Sequence, residues 1–244
     1  MKAMIFAAGL GTRLRPLTDT LPKALVPIAG KTLLEHVIQK LVSAGFDELI
    51  VNIHHHGEQI VQFLKEKGNF GIRIEISDER GKLLDTGGGI KKAEDFFDNG
   101  KPFLVHNVDI LSNANLTDLY DKHCQNGNIA TLLVNERETS RYLLFNDDMR
   151  LYGWKNIKTN EVKSPYANFN EKDYRPFAFS GIHVISPEIF KMMASWEDKF
   201  PIMDFYLGLC DNIKIGAYND KHLKIVDVGK IDTLKKAEDF VAMR

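Results

Sequence analysis

Gly9, Gly11, Arg13 and Lys23 are the residues of this chain whose types and spacing most directly invite chemistry. They follow the apolar run Met4-Ile5-Phe6-Ala7-Ala8, in Gly9-Leu10-Gly11-Thr12-Arg13-Leu14-Arg15-Pro16 and then Leu21-Pro22-Lys23-Ala24-Leu25-Val26-Pro27. Glycine adopts backbone angles closed to other residues and puts no side chain between amide N–H groups and an anion, so such a loop can wrap phosphate oxygens closely. Arginine then offers a planar fork that bridges two oxygens, and lysine a compact charge for one. A strand, a glycine loop, an arginine and a lysine between two prolines are the equipment for holding a triphosphate.

Two better-known glycine motifs do not fit. The dinucleotide fingerprint needs a third glycine where Leu14 stands, and no ribose-binding acid follows at the expected distance. Gly30-Lys31-Thr32 looks like the end of a Walker A loop, but its first glycine falls on Leu25 and no strand immediately precedes it.

The elements that must position these residues alternate. Met4 to Ala8 reads as a strand, Leu33 to Ala44 as a helix, Glu48 to Ile53 as a strand and Glu58 to Lys67 as a helix. Ile72 to Ile76 is then a strand, Gly87 to Phe97 a helix and Pro102 to Asn107 a strand leading into Val108-Asp109. Repeated βα units imply an α/β fold, a Rossmann-like, mostly parallel sheet with helices on both faces. Ligands of such sheets gather at the carboxyl ends of the strands. The glycine loop, the segment Asp85-Thr86-Gly87-Gly88-Gly89 opening a helix, and Asp109 at a strand end are therefore expected on one rim. Thr86 to Gly89 could present free amides at a helix N-terminus to a base or phosphate, or form a capped turn with no ligand.

Asp109 is a hard oxygen ligand at a strand end, suited to Mg²⁺, which takes one or two carboxylates together with waters and substrate phosphates. Asp227, in Ile225-Val226-Asp227-Val228-Gly229-Lys230, is a second candidate and equally a capping or turn residue.

The run Gly9-Leu10-Gly11-Thr12-Arg13-Leu14-Arg15-Pro16-Leu17-Thr18 and the later Pro22-Lys23-Ala24-Leu25-Val26-Pro27 resemble, without a gap, the signature of the sugar-1-phosphate nucleotidyltransferases, or nucleotide-sugar pyrophosphorylases. The resemblance implies the nucleotide-diphospho-sugar transferase fold in a single domain of residues 1–244. Its nucleotide-binding half would cover about 1–110 and its sugar-binding half about 111–244, with a small antiparallel insertion. It implies an enzyme that joins a nucleoside triphosphate to a sugar 1-phosphate with release of pyrophosphate, Mg²⁺ being held by Asp109 and Asp227. Arg13, Lys23 and Asp109 would be catalytic; Ala7, Ala8, Gly9, Gly11, Thr12, Arg13, Lys23, Thr86, Gly87 and Gly88 would bind the nucleotide. Two departures bear on the sugar side: Val108 and Lys230 stand where the family has a glycine and a threonine.

Tyr142 to Trp154 alternates as strands around Asn146-Asp147-Asp148, and Tyr174 to Ile185 reads as a further strand. This is similar to the family's antiparallel insertion, which makes Asn107, Gly153, Lys155, Phe179, Ser180 and Gly181 candidates for the sugar site. The segment Asp85-Thr86-Gly87-Gly88-Gly89-Ile90 is similar to that of bacterial N-acetylmuramate-1-phosphate uridylyltransferases of cell-wall recycling and of related heptose- and mannose-phosphate enzymes. UTP with N-acetylmuramate 1-phosphate is thus the expected pair, GTP with mannose or heptose 1-phosphate the alternative, and a non-catalytic nucleotide-sugar binder the alternative of another class.

Composition fits this reading. The 244 residues are 44% hydrophobic and 27% charged, with net charge −1, so no overall basic field invites nucleic acid or anionic lipid. No leader and no apolar stretch of about 20 residues is read, so a cytoplasmic protein with no membrane partner is expected. Cys124 and Cys210 match no metal or redox spacing and read as reduced, buried thiols. His54-His55-His56 point in alternating directions and read as structural. Ile189, Phe190, Met193 and Trp196 form a core stripe.

Overall fold

The computed structural model describes residues 1–243. Its elements run β1 (Lys2–Phe6), β2 (Pro27–Ile28), β3 (Lys31–Thr32), α1 (Leu33–Ser43), β4 (Glu48–Ile53), α2 (Gly57–Glu66), β5 (Arg73–Asp78), α3 (Asp85–Lys92), β6 (Phe103–Asn107), β7 (Ile110–Ser112) and α4 (Leu116–Asn126). They continue as β8 (Ala130–Asn135), β9 (Arg141–Phe145), β10 (Leu151–Asn156), β11 (Glu161–Lys163), β12 (Arg175–Ile185), α5 (Ile189–Met193), α6 (Ile202–Leu209), β13 (Ile215–Asn219), β14 (Ile225–Asp227) and α7 (Leu234–Ala242). The chain forms two compact units interleaved in sequence. One is built from residues 1–84, 105–116 and the segment from Lys224; the other from 85–104 and 117–223. The sequence reading divides the chain once, near residue 110.

In the first unit the strand order is β6-β1-β4-β5. β1 runs parallel to β4, with Phe6 opposite Asn52, and β4 parallel to β5. Ala3, Met4, Ile5, Leu49, Val51 and Ile53 are fully buried, as expected of parallel strands covered on both faces. Thr32 caps α1 by accepting from the Glu35 amide at 3.1 Å, and Leu33, Leu34, Val37, Ile38 and Leu41 bury one helical stripe. β7 and β14 form an antiparallel ribbon in which Asp227 lies opposite Ile110. Gly30-Lys31-Thr32, with its superficial Walker likeness, is the end of a β-hairpin whose turn places Ala29 and Gly30 at φ 48° and 83°.

The second unit carries the antiparallel strands, in the order β11-β10-β9-β12, with β8 antiparallel to β12 and β13 parallel to β8. Gly181, at φ 72°, sits where the β12–β8 register shifts between Phe179 and His183, a bulge that a residue with a side chain adopts only with strain. Phe97, Phe103 and Phe190 stack in its core. Ile189, Phe190 and Met193 are buried as expected, while Trp196 is half-buried against Phe200 and Phe205. The expected mixed fold, parallel strands with helices plus an antiparallel part, is present.

Three local readings are corrected. β1 starts at Lys2 and ends at Phe6, leaving Ala7 and Ala8 in the loop. The helix read from Gly87 to Phe97 stops at Lys92, and a 3₁₀ turn, Glu94–Phe97, turns Phe96 and Phe97 into the core. Cys124 is exposed on α4, whereas Cys210 is buried.

Candidate functional site

In the first unit, the backbone beyond Phe6 leaves the β ladder and its first two amides are satisfied by one side chain. Asn52 Oδ1 accepts from Ala7 N at 2.7 Å and from Ala8 N at 3.2 Å. The amides of Gly9, Leu10, Gly11, Thr12 and Arg13 donate to no group among the described residues. Five successive unpaired N–H groups are available to an anion there. Gly11, at φ 65°, makes the loop's sharp reversal: its carbonyl accepts from Leu14 N and Thr18 Oγ1, both at 2.8 Å. A methyl group at Gly11 would come within 2.9 Å of Thr18 Cγ2 and 3.2 Å of Lys23 Cβ, so its glycine serves packing as well as conformation.

Lys23, only 9% exposed, is brought beside this loop by the 3₁₀ turn Lys23–Leu25 and donates directly to the Asp109 carboxylate. The carbonyl of Asp109 accepts from Val228 N at 2.8 Å, which ties the end of β6 to the segment after β14. A methyl group on Gly229 would lie 2.8 Å from Asp227 Oδ1 and 2.9 Å from Arg13 Nη2, so the carboxylate and the guanidinium both lie against the backbone of Gly229. Gly9, Gly11, Arg13, Lys23, Asp109 and Asp227 are thereby gathered in one unit from three separated segments. Two carboxylates beside a loop of free amides match the donor set Mg²⁺ takes when phosphates and waters complete its shell. No cluster of three or more His, Cys, Asp or Glu suited to a metal occurs among the described residues, the His54-His55-His56 run included.

Asn107 ends β6 and is half-exposed. Its carbonyl accepts from the neighbouring His106 ring, Nδ1 to O 2.8 Å. Burial pushes the His106 imidazole down to about 4, so the neutral ring keeps the Nδ1–H tautomer that this bond requires.

In the second unit, the glycine segment is not open. Gly87 N donates to Phe200 O at 2.8 Å and Gly88 N reaches the same oxygen at 3.3 Å. Thr86 Oγ1 accepts from Ile202 N at 2.9 Å, and its own amide donates to Asp85 Oδ1 at 2.7 Å. A Cβ at Gly87 would stand 2.2 Å from the Phe200 ring. The amides of Thr86, Gly87 and Gly88, expected to be free, are instead engaged: that of Thr86 by its neighbour Asp85, and those of Gly87 and Gly88 by Phe200, because the chain before α6 covers the start of α3.

The remaining candidates sit on the antiparallel strands. Gly153 of β10 gives room to Phe169, whose ring would lie 2.7 Å from an added Cβ. Lys155 pairs with Glu171 at 2.6 Å. The Phe179 carbonyl accepts from Arg137 Nη2 at 3.0 Å, and Ser180, buried, has no partner for its hydroxyl among the described residues. Sequence reading missed Thr18, Asn52, Glu79 and Gly229. Thr18 and Gly229 stand inside the motif segments quoted above, Asn52 shows as a polar residue inside the apolar strand Leu49-Ile50-Val51-Asn52-Ile53, and Glu79 carries no signal.

A family model described as nucleotidyl transferase matches residues 2–244. A UTP--glucose-1-phosphate uridylyltransferase of Synechocystis sp. is 32% identical over 248 residues, covering 95% of this chain and 61% of the relative. The chain therefore spans less than two thirds of that relative's length. An N-acetylmuramate alpha-1-phosphate uridylyltransferase of Neisseria meningitidis serogroup B is 34% identical over 190 residues, covering 78% of this chain and 77% of the relative. The fold is shared with the crystal structure of HddC from Yersinia pseudotuberculosis complexed with GMP-PN, at a TM-score of 0.76 and 20% identity, covering 98% and 99% of the two chains.

Proposed function

This chain belongs to the nucleotidyl transferase family, and from that premise we propose that it transfers a nucleotidyl group from a nucleoside triphosphate to a sugar 1-phosphate, UTP with N-acetylmuramate 1-phosphate being the leading pair. The observation that carries the reading is the single cluster in which the free amides of Gly9 to Arg13, the Arg13 guanidinium, the Lys23–Asp109 ion pair and Asp227 meet.

In the reaction, a phosphate oxygen of the sugar phosphate forms a bond to the α-phosphorus while the bond from that phosphorus to the β-phosphate oxygen breaks and pyrophosphate leaves. The nucleophile is already an anion at neutral pH, so no general base is required, and the protein's task is alignment and neutralisation of phosphate charge. The amides of Gly9 to Arg13 and the Arg13 guanidinium hold the β- and γ-phosphates and the departing pyrophosphate. Lys23, held low in the site by Asp109, meets the α-phosphate and the incoming phosphate. Asp109 and Asp227 would hold Mg²⁺, which when bound would supply neutralisation of phosphate charge. Asn107, Gly153, Lys155, Phe179, Ser180 and Gly181 are each kept as sugar-side candidates. Thr86, Gly87 and Gly88 remain nucleotide-side candidates through groups other than their engaged amides.

The uridylyl assignment is supported by the Asp85-Thr86-Gly87-Gly88-Gly89-Ile90 segment and by the Neisseria relative, three quarters of which the chain covers. GTP with mannose or heptose 1-phosphate is the second reading, favoured by the likeness of the same segment to guanylyl-transferring enzymes. The expected location is cytoplasmic; no helix among the described residues is long and apolar enough to cross a membrane. The test is pyrophosphate release with Mg²⁺ from UTP and from GTP, each paired with N-acetylmuramate, glucose, mannose and heptose 1-phosphates. One dominant pair names the substrates, and no release from any pair in a protein that binds nucleotide favours the non-catalytic binder.

A further inference from the structure

The loop that the proposed nucleotide site depends on is tied at its start to a buried side chain of the neighbouring strand. β1 pairs with β4 only as far as Phe6, opposite Asn52, and there the backbone peels away. Asn52, 3% exposed, extends the pairing with its side chain instead of its backbone: Oδ1 takes the amides of Ala7 and Ala8 at 2.7 and 3.2 Å. Its other end is fixed as firmly. Asn52 Nδ2 donates to Glu79 Oε1 at 2.8 Å, and Glu79, 2% exposed, accepts from Leu84 N on its second oxygen at 3.1 Å. Glu79 is itself held by its amide, which donates to Ile53 O at 2.9 Å.

This network settles the orientation of the Asn52 amide on chemical grounds. A carboxylate accepts only, so the NH₂ end must face Glu79, which leaves the carbonyl end toward the two backbone donors. Each of these buried groups then has a partner, and satisfied buried networks hold one geometry because every alternative strands a polar group. Two consecutive amides drawn to one side-chain oxygen turn the chain inward at Ala7 and Ala8, and the amides from Gly9 onward are the first left unpaired.

We propose that Asn52 is the positioning residue of the nucleotide loop and that Glu79 is the group that orients it; the role rests on the functional reading given above. The pair acts through the loop and touches no reacting atom. It also sets the division of labour in the loop, since Ala7 and Ala8 are excluded as amide donors to the nucleotide while Gly9 to Arg13 are released for it.

The network has an exchange symmetry that provides the test. In the double variant Asn52→Asp/Glu79→Gln, the new carboxylate accepts from Ala7 N and Ala8 N and from the NH₂ of the new carboxamide, whose carbonyl in turn accepts from Leu84 N. Every hydrogen bond is kept and the net charge is unchanged. Asn52→Leu removes the acceptor while keeping the number and branching of side-chain heavy atoms, and Asn52→Ser shortens it beyond reach with less disturbance of the core. UTP and GTP binding by titration calorimetry, melting temperature, and amide hydrogen exchange at Ala7, Ala8 and Gly9 are measured for each protein.

Expected are at least tenfold weaker binding of the preferred nucleotide by Asn52→Leu and Asn52→Ser, and fast exchange at Ala7 and Ala8 where the parent is protected. The double variant should bind within threefold of the parent with that protection restored. A folded Asn52→Ser that binds within threefold of the parent, or a double variant as weak as the single ones, overturns the positioning role alone. A parent protein that binds neither UTP nor GTP overturns the functional reading and the role built on it together.

Discussion

The Asp109 carboxylate accepts directly from the Lys23 ammonium, a contact that joins the end of β6 to the segment 86 residues earlier in the chain. Through its own carbonyl the same aspartate holds Val228, and with it the turn that carries Asp227 and Gly229. Asp109 is thus both a charged group of the site and the joint between its three segments.

Asp109→Asn keeps the shape of the side chain, removes its charge and leaves the Lys23 ammonium without its counter-ion. Turnover is expected to fall by about 10²–10³, the usual cost of deleting one preorganised charge from a phosphate site. Arg13→Ala should fall in the same range. Steady-state pyrophosphate release checks both, and near-parental turnover in either variant would sink the role given to that residue.

Gly229→Ala tests whether Arg13 and Asp227 need the bare backbone they lie against. The added methyl meets only the far ends of two flexible side chains, at 2.8 and 2.9 Å, so the fold should survive with its melting temperature nearly unchanged. The two charged groups must move, and displacement of that order costs up to about 10² in rate. A variant with normal kinetics would show that neither group is held for catalysis by this contact.

Gly87→Ala should act on stability. Here the methyl would fall 2.2 Å from the Phe200 ring and 2.8 Å from the carbonyl that accepts the Gly87 amide. Overpacking against backbone costs about 1–3 kcal/mol, a lowering of roughly 2–12 °C in a chain of this size. Thermal unfolding followed by circular dichroism decides it, and an unshifted transition would contradict the packing described.

Acid should weaken the fold through buried histidines. Burial lowers His106 and His123 to about 4 and His183 to about 3, from 6.5. Each folded value lies below the unfolded one, so the neutral rings favour the fold above pH 6.5, and that stability is lost as pH falls toward 4. Between those limits the unfolded chain binds up to three more protons, giving a loss of at most about 4 kcal/mol per pH unit. Urea unfolding at pH 7.5, 6.0 and 5.0 measures it; a midpoint that does not move would refute the burial of these rings.

Thiol reagents should distinguish the two cysteines. Cys124 is exposed on α4, while Cys210 is buried with its thiol pushed up to about 12. One fast equivalent is expected in the native protein at pH 8 and two after denaturation, and two fast equivalents in the native state would contradict the placement of Cys210.

The alternation of β and α patterns, the glycine loop and the family resemblance were legible along the chain because each is a local property: periodicity, backbone permissiveness and a run of fixed residue types. Arg13, Lys23 and Asp109 could be singled out for the same reason. The engagement of Gly87 and Gly88 was not legible, since the acceptor for both amides is Phe200, more than a hundred residues away and itself ordinary in type. The exposure of Cys124 was hidden too, for a lone thiol on a helix says nothing about which face it occupies.

The sequence by itself determined which residues could meet phosphate, because charge, donor geometry and glycine's freedom belong to single residues and their near neighbours. Only the tertiary structure decided which of those groups are free to do so. Backbone amides are alike in every residue, and whether one is open or taken depends on what the fold brings against it. Ala7 and Ala8 are taken by Asn52, Gly87 and Gly88 by Phe200, and the five amides from Gly9 to Arg13 are left open because no other part of the described chain reaches them.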